Sequence, residues 1–304
     1  MLGRGLVLVL VVLAGCGQSA PAPVFDGERA MDYLRTQLGF GPRIPGTEGH
    51  RQVGDWLDSL LTARADTVVV QSWDHRTVSG STVPLRNFIA RFTPSAAVRI
   101  LLLAHWDTRP RADAAEGDQA DLPVPGANDG ASGVALLLGI ADQLRLAPPA
   151  IGVDLLFVDG EDFGSFGDPG WPDVLIGSRY YAANLPPGPK PQFAVLFDMI
   201  GDAELEIFQE GNSLTGAPEV VNRVWAAAAD LGYGHIFVSR SRHTLTDDHI
   251  PLQQIGIPAI DVIDFDYGPD HSYWHTPLDT VDKVSARSLE VVGRVALAVI
   301  SRTR

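Results

Sequence analysis

From Asp26 onward the apolar positions Ala30, Tyr33, Leu34 and Leu38 fall at helical spacing, and Gly39-Phe40-Gly41-Pro42 ends the run. A second apolar face, Val53, Trp56, Leu57, Leu60 and Leu61, predicts a helix over residues 50–63. The pattern then changes to short apolar runs at 67–71, 87–92, 98–104, 153–158, 193–199 and 259–263, each of strand length. Between several of them lie helical patterns at 131–146, 172–184, 218–231 and 285–300. Strands alternating with helices predict an α/β fold: a single three-layer domain whose central mixed, mostly parallel sheet is flanked by helices.

In such sheets ligands collect beyond the carboxyl ends of the strands, so the residues that follow each apolar run carry the candidate chemistry. The run at 98–104 ends in His105-Trp106-Asp107, that at 153–158 in Asp159-Gly160-Glu161-Asp162, and the next in Asp198. Three further polar clusters stand out: Asn128-Asp129 in a glycine-rich segment before a helix, Asp247-Asp248-His249, and Trp274-His275 after the last strand. Gly126, Gly130 and Gly133 match neither the P-loop nor the dinucleotide spacing, and Asp129 would repel a phosphate. Carboxylates packed together raise one another's pKa, a conflict that a cation resolves.

Composition narrows the choice. The 304 residues carry 23 basic against 37 acidic groups, a formal charge of −14, which repels a polyanion and excludes nucleic acid as a partner. Arg4 followed by an apolar run over 6–13 predicts a signal peptide, too short to span a bilayer as a stable helix. The run ends in Leu13-Ala14-Gly15-Cys16, which resembles a bacterial lipobox. The expected organisation is therefore a lipoprotein signal over 1–15, a lipid-anchored tether over 16–25 and a catalytic domain over 26–304, held at the membrane through lipid on Cys16 and located in the bacterial cell envelope. Cys16 is the sole cysteine, so the domain has neither disulfide nor thiolate ligand, and His, Asp and Glu must hold any metal. Oxygen and imidazole donors without sulfur suit zinc.

The ordered motifs FGPRIPGTEGH, HWDTRP, PGANDGASG, FVDGEDFG, FDMIGD, TDDHIPL and YWHTPLDT resemble the glutaminyl-peptide cyclotransferases, especially the bacterial type, whose fold is that of the co-catalytic zinc aminopeptidases. The resemblance covers nearly the whole chain after the tether. It implies Asp129, Asp162 and His275 as ligands of one Zn2+, Glu161 as general acid/base, Asp248 as its catalytic partner, Asp198 as the group that holds the substrate's α-amine, and Trp274 as a pocket wall. The implied reaction is cyclisation of an N-terminal glutamine of a peptide or protein to pyroglutamate with release of ammonia. Attack requires a neutral α-amine, whose ordinary pKa is about 8, so activity is expected to rise toward mildly alkaline pH.

A two-zinc aminopeptidase would use the same parts, with Glu161 as base toward water, Asp129 shared, and His105 and Asp198 on a second metal. A non-catalytic binding protein would have lost Glu161 or the ligands, and all are present. The plainer expectations are that Asp107 and Asp159 bond backbone amides, that His249 is a buried structural histidine, and that 109–125 is a surface loop shaping substrate access. Of Trp106, Phe163, Phe166, Trp171 and Trp274, only Trp274 is assigned to the pocket.

Overall fold

A computed structural model describes residues 24–304; the signal, the lipobox and all but the last two residues of the expected tether lie outside the described residues. Two helices open the domain, α1 (Gly27–Gly39) and α2 (Glu48–Thr62). Asp26 caps α1 by accepting from the Arg29 amide at 2.9 Å, and Thr47 caps α2. Next come β1 (Thr67–Arg76), β2 (Thr82–Phe92), β3 (Arg99–His105), α3 (Ala131–Leu146), β4 (Gly152–Val158) and α4 (Ile176–Ala183). The chain ends with β5 (Ala194–Asp198), β6 (Ile207–Gln209), α5 (Gly211–Gly216), α6 (Pro218–Asp230), β7 (Phe237–Ser241), α7 (His249–Gln254), β8 (Ala259–Ile263) and α8 (Ala286–Arg302).

The main sheet runs β1-β2-β4-β3-β5-β8. β1, β2 and β4 pair antiparallel, whereas β4, β3, β5 and β8 are mutually parallel, the mixed and mostly parallel arrangement expected. Every residue of β3, β4, β5 and β8 is buried, because helices cover both faces. One polar pair inside this apolar slab is tied off locally: Asp154 of β4 accepts from Arg99 at 2.6 Å and from Arg91 at 3.2 Å.

Some boundaries moved. The expected helix over 172–184 is shortened to α4, since residues 163–175 form a loop in which Leu175 takes a left-handed φ of 52°. The strands β1 and β2 extend beyond the expected segments because they form a hairpin in register from Thr67↔Arg91 to Arg76↔Thr82, where every β1 side chain but Gln71 is exposed or half-buried. The pair β6 and β7 forms a separate two-stranded sheet too short to leave a periodic signal.

Because β3 is flanked by β4 and β5, and the chain reaches those neighbours through α3 on one step and α4 on the other, the carboxyl ends of these three strands border a common crevice. His105, Glu161-Asp162 and Asp198 emerge there.

Candidate metal centre and active site

Two groups of buried side chains converge at the crevice and share Asp129. In one, donor atoms of Asp129, Asp162 and His275 lie within 4.8 Å of one another; in the other, those of His105, Asp129 and Asp198 do. The His275 Nε2 lies 3.6 Å from Asp129 Oδ2 and 3.4 Å from Asp162 Oδ1, while His105 Nε2 lies 3.1 Å from Asp129 Oδ1 and 3.2 Å from Asp198 Oδ1.

The backbone around these groups is fixed by residues that themselves bear no ligand role. Asp279 accepts from the amides of Asn128 (2.8 Å) and Asp129 (3.2 Å) and from the Tyr267 hydroxyl (2.7 Å). Asp107 accepts from the amides of Glu161 and Asp162, both at 3.1 Å, as expected of an acidic residue at a strand end. Asp159 is likewise structural, bonded to His50 Nε2 at 2.8 Å and to the Arg86 amide at 2.7 Å. Gly130 is required by a close approach: a Cβ there would sit 2.4 Å from His105 Nε2, so only glycine lets the imidazole lie against the ligand loop. Met199 and His275, with φ of 44° and 52°, are non-glycine residues held in left-handed conformations beside or at the site, as is common where surroundings over-determine the backbone.

A cavity of about 350 Å³ opens over this centre. It is lined by the carboxylates of Asp129, Glu161, Asp162, Asp198 and Asp247 and by the apolar side chains of Leu245, Ile263, Phe265, Phe166 and Trp274. Trp274 stacks on the His275 ring at 3.7 Å between centroids. Trp106 is fully buried instead, stacked on His50 at 4.2 Å, and Phe163 and Trp171 are not among the lining residues.

Of the residues singled out in the sequence, Asp129, Glu161, Asp162, Asp198, Trp274 and His275 all reach the cavity. Asp248 does not. It is fully buried, accepts from the Ser178 hydroxyl at 2.5 Å, and leaves the cavity wall to its neighbour Asp247, to which the sequence assigned no role. An adjacent pair of aspartates at the start of a helix gives no clue to which one faces inward. His249 is buried with Glu210 Oε2 at 3.5 Å, and neither of its ring nitrogens makes a hydrogen bond.

Burial first, then the charge of Asp162 and those of Asp247 and Asp248, hold the Glu161 carboxyl well above the ordinary carboxylate range, against an opposing pull from His105. Asp248 is pushed up to about 7, also chiefly by burial. These shifts favour a carboxyl that exchanges a proton near neutral pH.

The fold and the converging donors define an α/β metalloenzyme. The chain belongs to peptidase family M28, whose model matches residues 87–300. It is similar to a glutaminyl cyclase of Bacteroides thetaiotaomicron, solved bound to N-acetylhistamine, at 36% identity and a TM-score of 0.88, covering 93% of this chain and 100% of that one. A leucine aminopeptidase precursor from Bacteroides thetaiotaomicron VPI-5482 is as similar, at 36% identity and a TM-score of 0.89, covering 94% and 100%. Aminopeptidase YwaD of Bacillus subtilis is 24% identical over 66% of this chain, and the match spans 40% of that protein's length. Family and neighbours together make this a zinc-dependent enzyme.

The donor set fits zinc: two carboxylates and an imidazole, no sulfur, and an Asp162 Oδ2 that is buried without a hydrogen-bond partner. Burial pulls the His275 pKa down, but Asp162 and Asp113 outweigh it and push the imidazole up to about 9. Zinc binds neutral imidazole, so uptake must release that proton. The expected result is that the zinc dissociation constant rises about tenfold for each pH unit below 9. Chelator competition at pH 6, 7 and 8 measures this, and a constant value across the series contradicts it.

Proposed function

We propose that this enzyme cyclises the N-terminal glutamine of peptides or proteins to pyroglutamate, releasing ammonia, and does so at the cell envelope, tethered through lipid on Cys16. Cavity size and lining support this reading. About 350 Å³ is near the lower bound for small-ligand sites and suits one residue folded back on itself, in a lining that supplies both carboxylates and apolar side chains. In this reaction nucleophile and electrophile belong to the same residue, so the protein need only fold the chain and manage charge.

Asp129, Asp162 and His275 would hold one zinc, which when bound supplies Lewis-acid polarisation of the side-chain carbonyl. Asp198 and Asp247 face the cavity where they accept hydrogen bonds from the substrate's α-amine. Glu161 takes a proton from that nitrogen as it bonds to the amide carbon, then gives a proton to the departing nitrogen as the carbon–nitrogen bond breaks, so that ammonia leaves and the carboxylate is restored. Asp248, buried behind, contributes negative charge that keeps Glu161 basic enough for both steps. Trp274 and Phe265 wall the aliphatic part of the glutamine side chain.

A second reading, a two-zinc aminopeptidase, is favoured by the convergence of His105, Asp129 and Asp198 as a further donor group. One experiment separates the two. Purified full-length protein is incubated in parallel with a glutamine-initiated dipeptide and with a leucine anilide. Ammonia release and ring closure on the first, with the anilide intact, is the expected result; anilide cleavage without ring closure reverses the assignment.

A further inference from the structure

Asp162 and His275, two of the three ligands of one half-site, are tied together by a single ion pair from the loop between β3 and α3. Arg109 is buried and donates from Nη1 to Asp162 Oδ1 at 2.5 Å and, more weakly, to the Asp162 carbonyl at 3.3 Å. Its Nε and Nη2 grip both oxygens of Asp113 at 2.8 and 2.6 Å, the fork geometry that only a guanidinium provides. Asp113 Oδ1 lies in turn 3.1 Å from His275 Nδ1, and the next amide, Ala114, donates to the His275 carbonyl at 3.3 Å. With Nδ1 facing a carboxylate, the neutral His275 ring keeps its proton there and presents Nε2 to Asp129 and Asp162.

The other half-site is braced more loosely. His105 Nδ1 is buried without a hydrogen-bond partner; the nearest carboxylate oxygen, Asp107 Oδ1, is 3.5 Å away and already accepts the Glu161 amide. Ligand number alone makes the two half-sites equivalent, but their supporting groups do not.

We propose that Arg109 and Asp113 are positioning residues that pre-set Asp162 and His275 and thereby make Asp129–Asp162–His275 the tight zinc site, leaving the His105 side weak. A carboxylate behind a zinc-bound imidazole fixes its tautomer and ring orientation and raises its basicity, and loss of such a partner typically costs about 10–100-fold in metal affinity. The inference rests on the metal reading of the site and not on cyclisation, so a failed ring-closure assay leaves it standing.

The test uses the full-length protein stripped of metal and titrated with zinc against a chromophoric chelator, and in parallel with Co2+ followed by visible absorption. Wild type is expected to take up one tight equivalent, with any second at least about 100-fold weaker. Asp113→Asn should weaken the tight equivalent about 10–100-fold and change the Co2+ bands, while Asp113→Glu, which restores an acceptor, recovers part of both. The Asp113 side chain is half exposed, and its substitution should leave the metal-free melting temperature unchanged. If the melting temperature falls for both variants alike, the difference between Asn and Glu in the Co2+ spectrum still decides the matter. Zinc affinity within about twofold of wild type in Asp113→Asn, or two equally tight equivalents in wild type, overturns the proposal.

Discussion

Glu161→Gln is expected to lower kcat by about 10²–10⁴-fold while zinc stays bound. Glu161 is absent from both donor groups, so removing its charge takes away no ligand. What it removes is a cavity carboxyl held well above its ordinary range: burial and the neighbouring charges of Asp162, Asp247 and Asp248 raise it, and glutamine of nearly the same shape cannot carry a proton between two nitrogens. The substitution also relieves repulsion with Asp162, so zinc affinity measured by chelator competition should stay within a few-fold of wild type. The two quantities must therefore separate. Substantial turnover in the variant removes Glu161 from its role, and parallel loss of zinc and turnover makes it a ligand.

The contrast between Glu161 and Asp113 shows what a sequence does and does not reveal about such a site. Glu161, Asp162, His105 and Asp198 follow apolar runs, and once those runs are strands of one sheet their ends must be neighbours. Asp129 and His275 were legible through the motifs around them. Asp113 sits in a segment with little apolar content that reads as a surface loop, and most of it is one. The signal that it reaches back to His275 is the four-residue spacing from Arg109, and that spacing is meaningful only after the loop's path is known. Asp279 was hidden similarly: it lies in a motif recognised for His275, yet its work is to hold the amides before and at Asp129, some 150 residues away. Periodicity identified the parallel strands because burial on both faces makes them continuously apolar, whereas the outer ends of β1 and β2 alternate and contain Pro84, and the left-handed turn at Leu175 has no compositional mark.

Asp129→Ala tests the centre more severely, because Asp129 is the only residue common to both donor groups. Zinc affinity is expected to fall beyond the roughly 100-fold that marks loss of a supporting group. Lewis-acid stabilisation is worth several kcal/mol, so turnover at low free zinc should fall by about 10³-fold or more. Stability should move the other way. Burial and then the charge of Asp162 raise the Asp129 carboxyl, with Asp198 adding to them against the hydrogen bond and charge of His105, and the net upward direction marks it as a destabilising group in the metal-free fold. Its amide bond to Asp279 belongs to the backbone and survives the substitution. The metal-free variant should therefore melt at or above the metal-free wild type, while saturating zinc raises the melting temperature of wild type alone. Calorimetry with and without zinc distinguishes this from simple misfolding: a variant that melts well below metal-free wild type would mean that Asp129 supports the loop itself, and its lost activity would then say nothing about the metal.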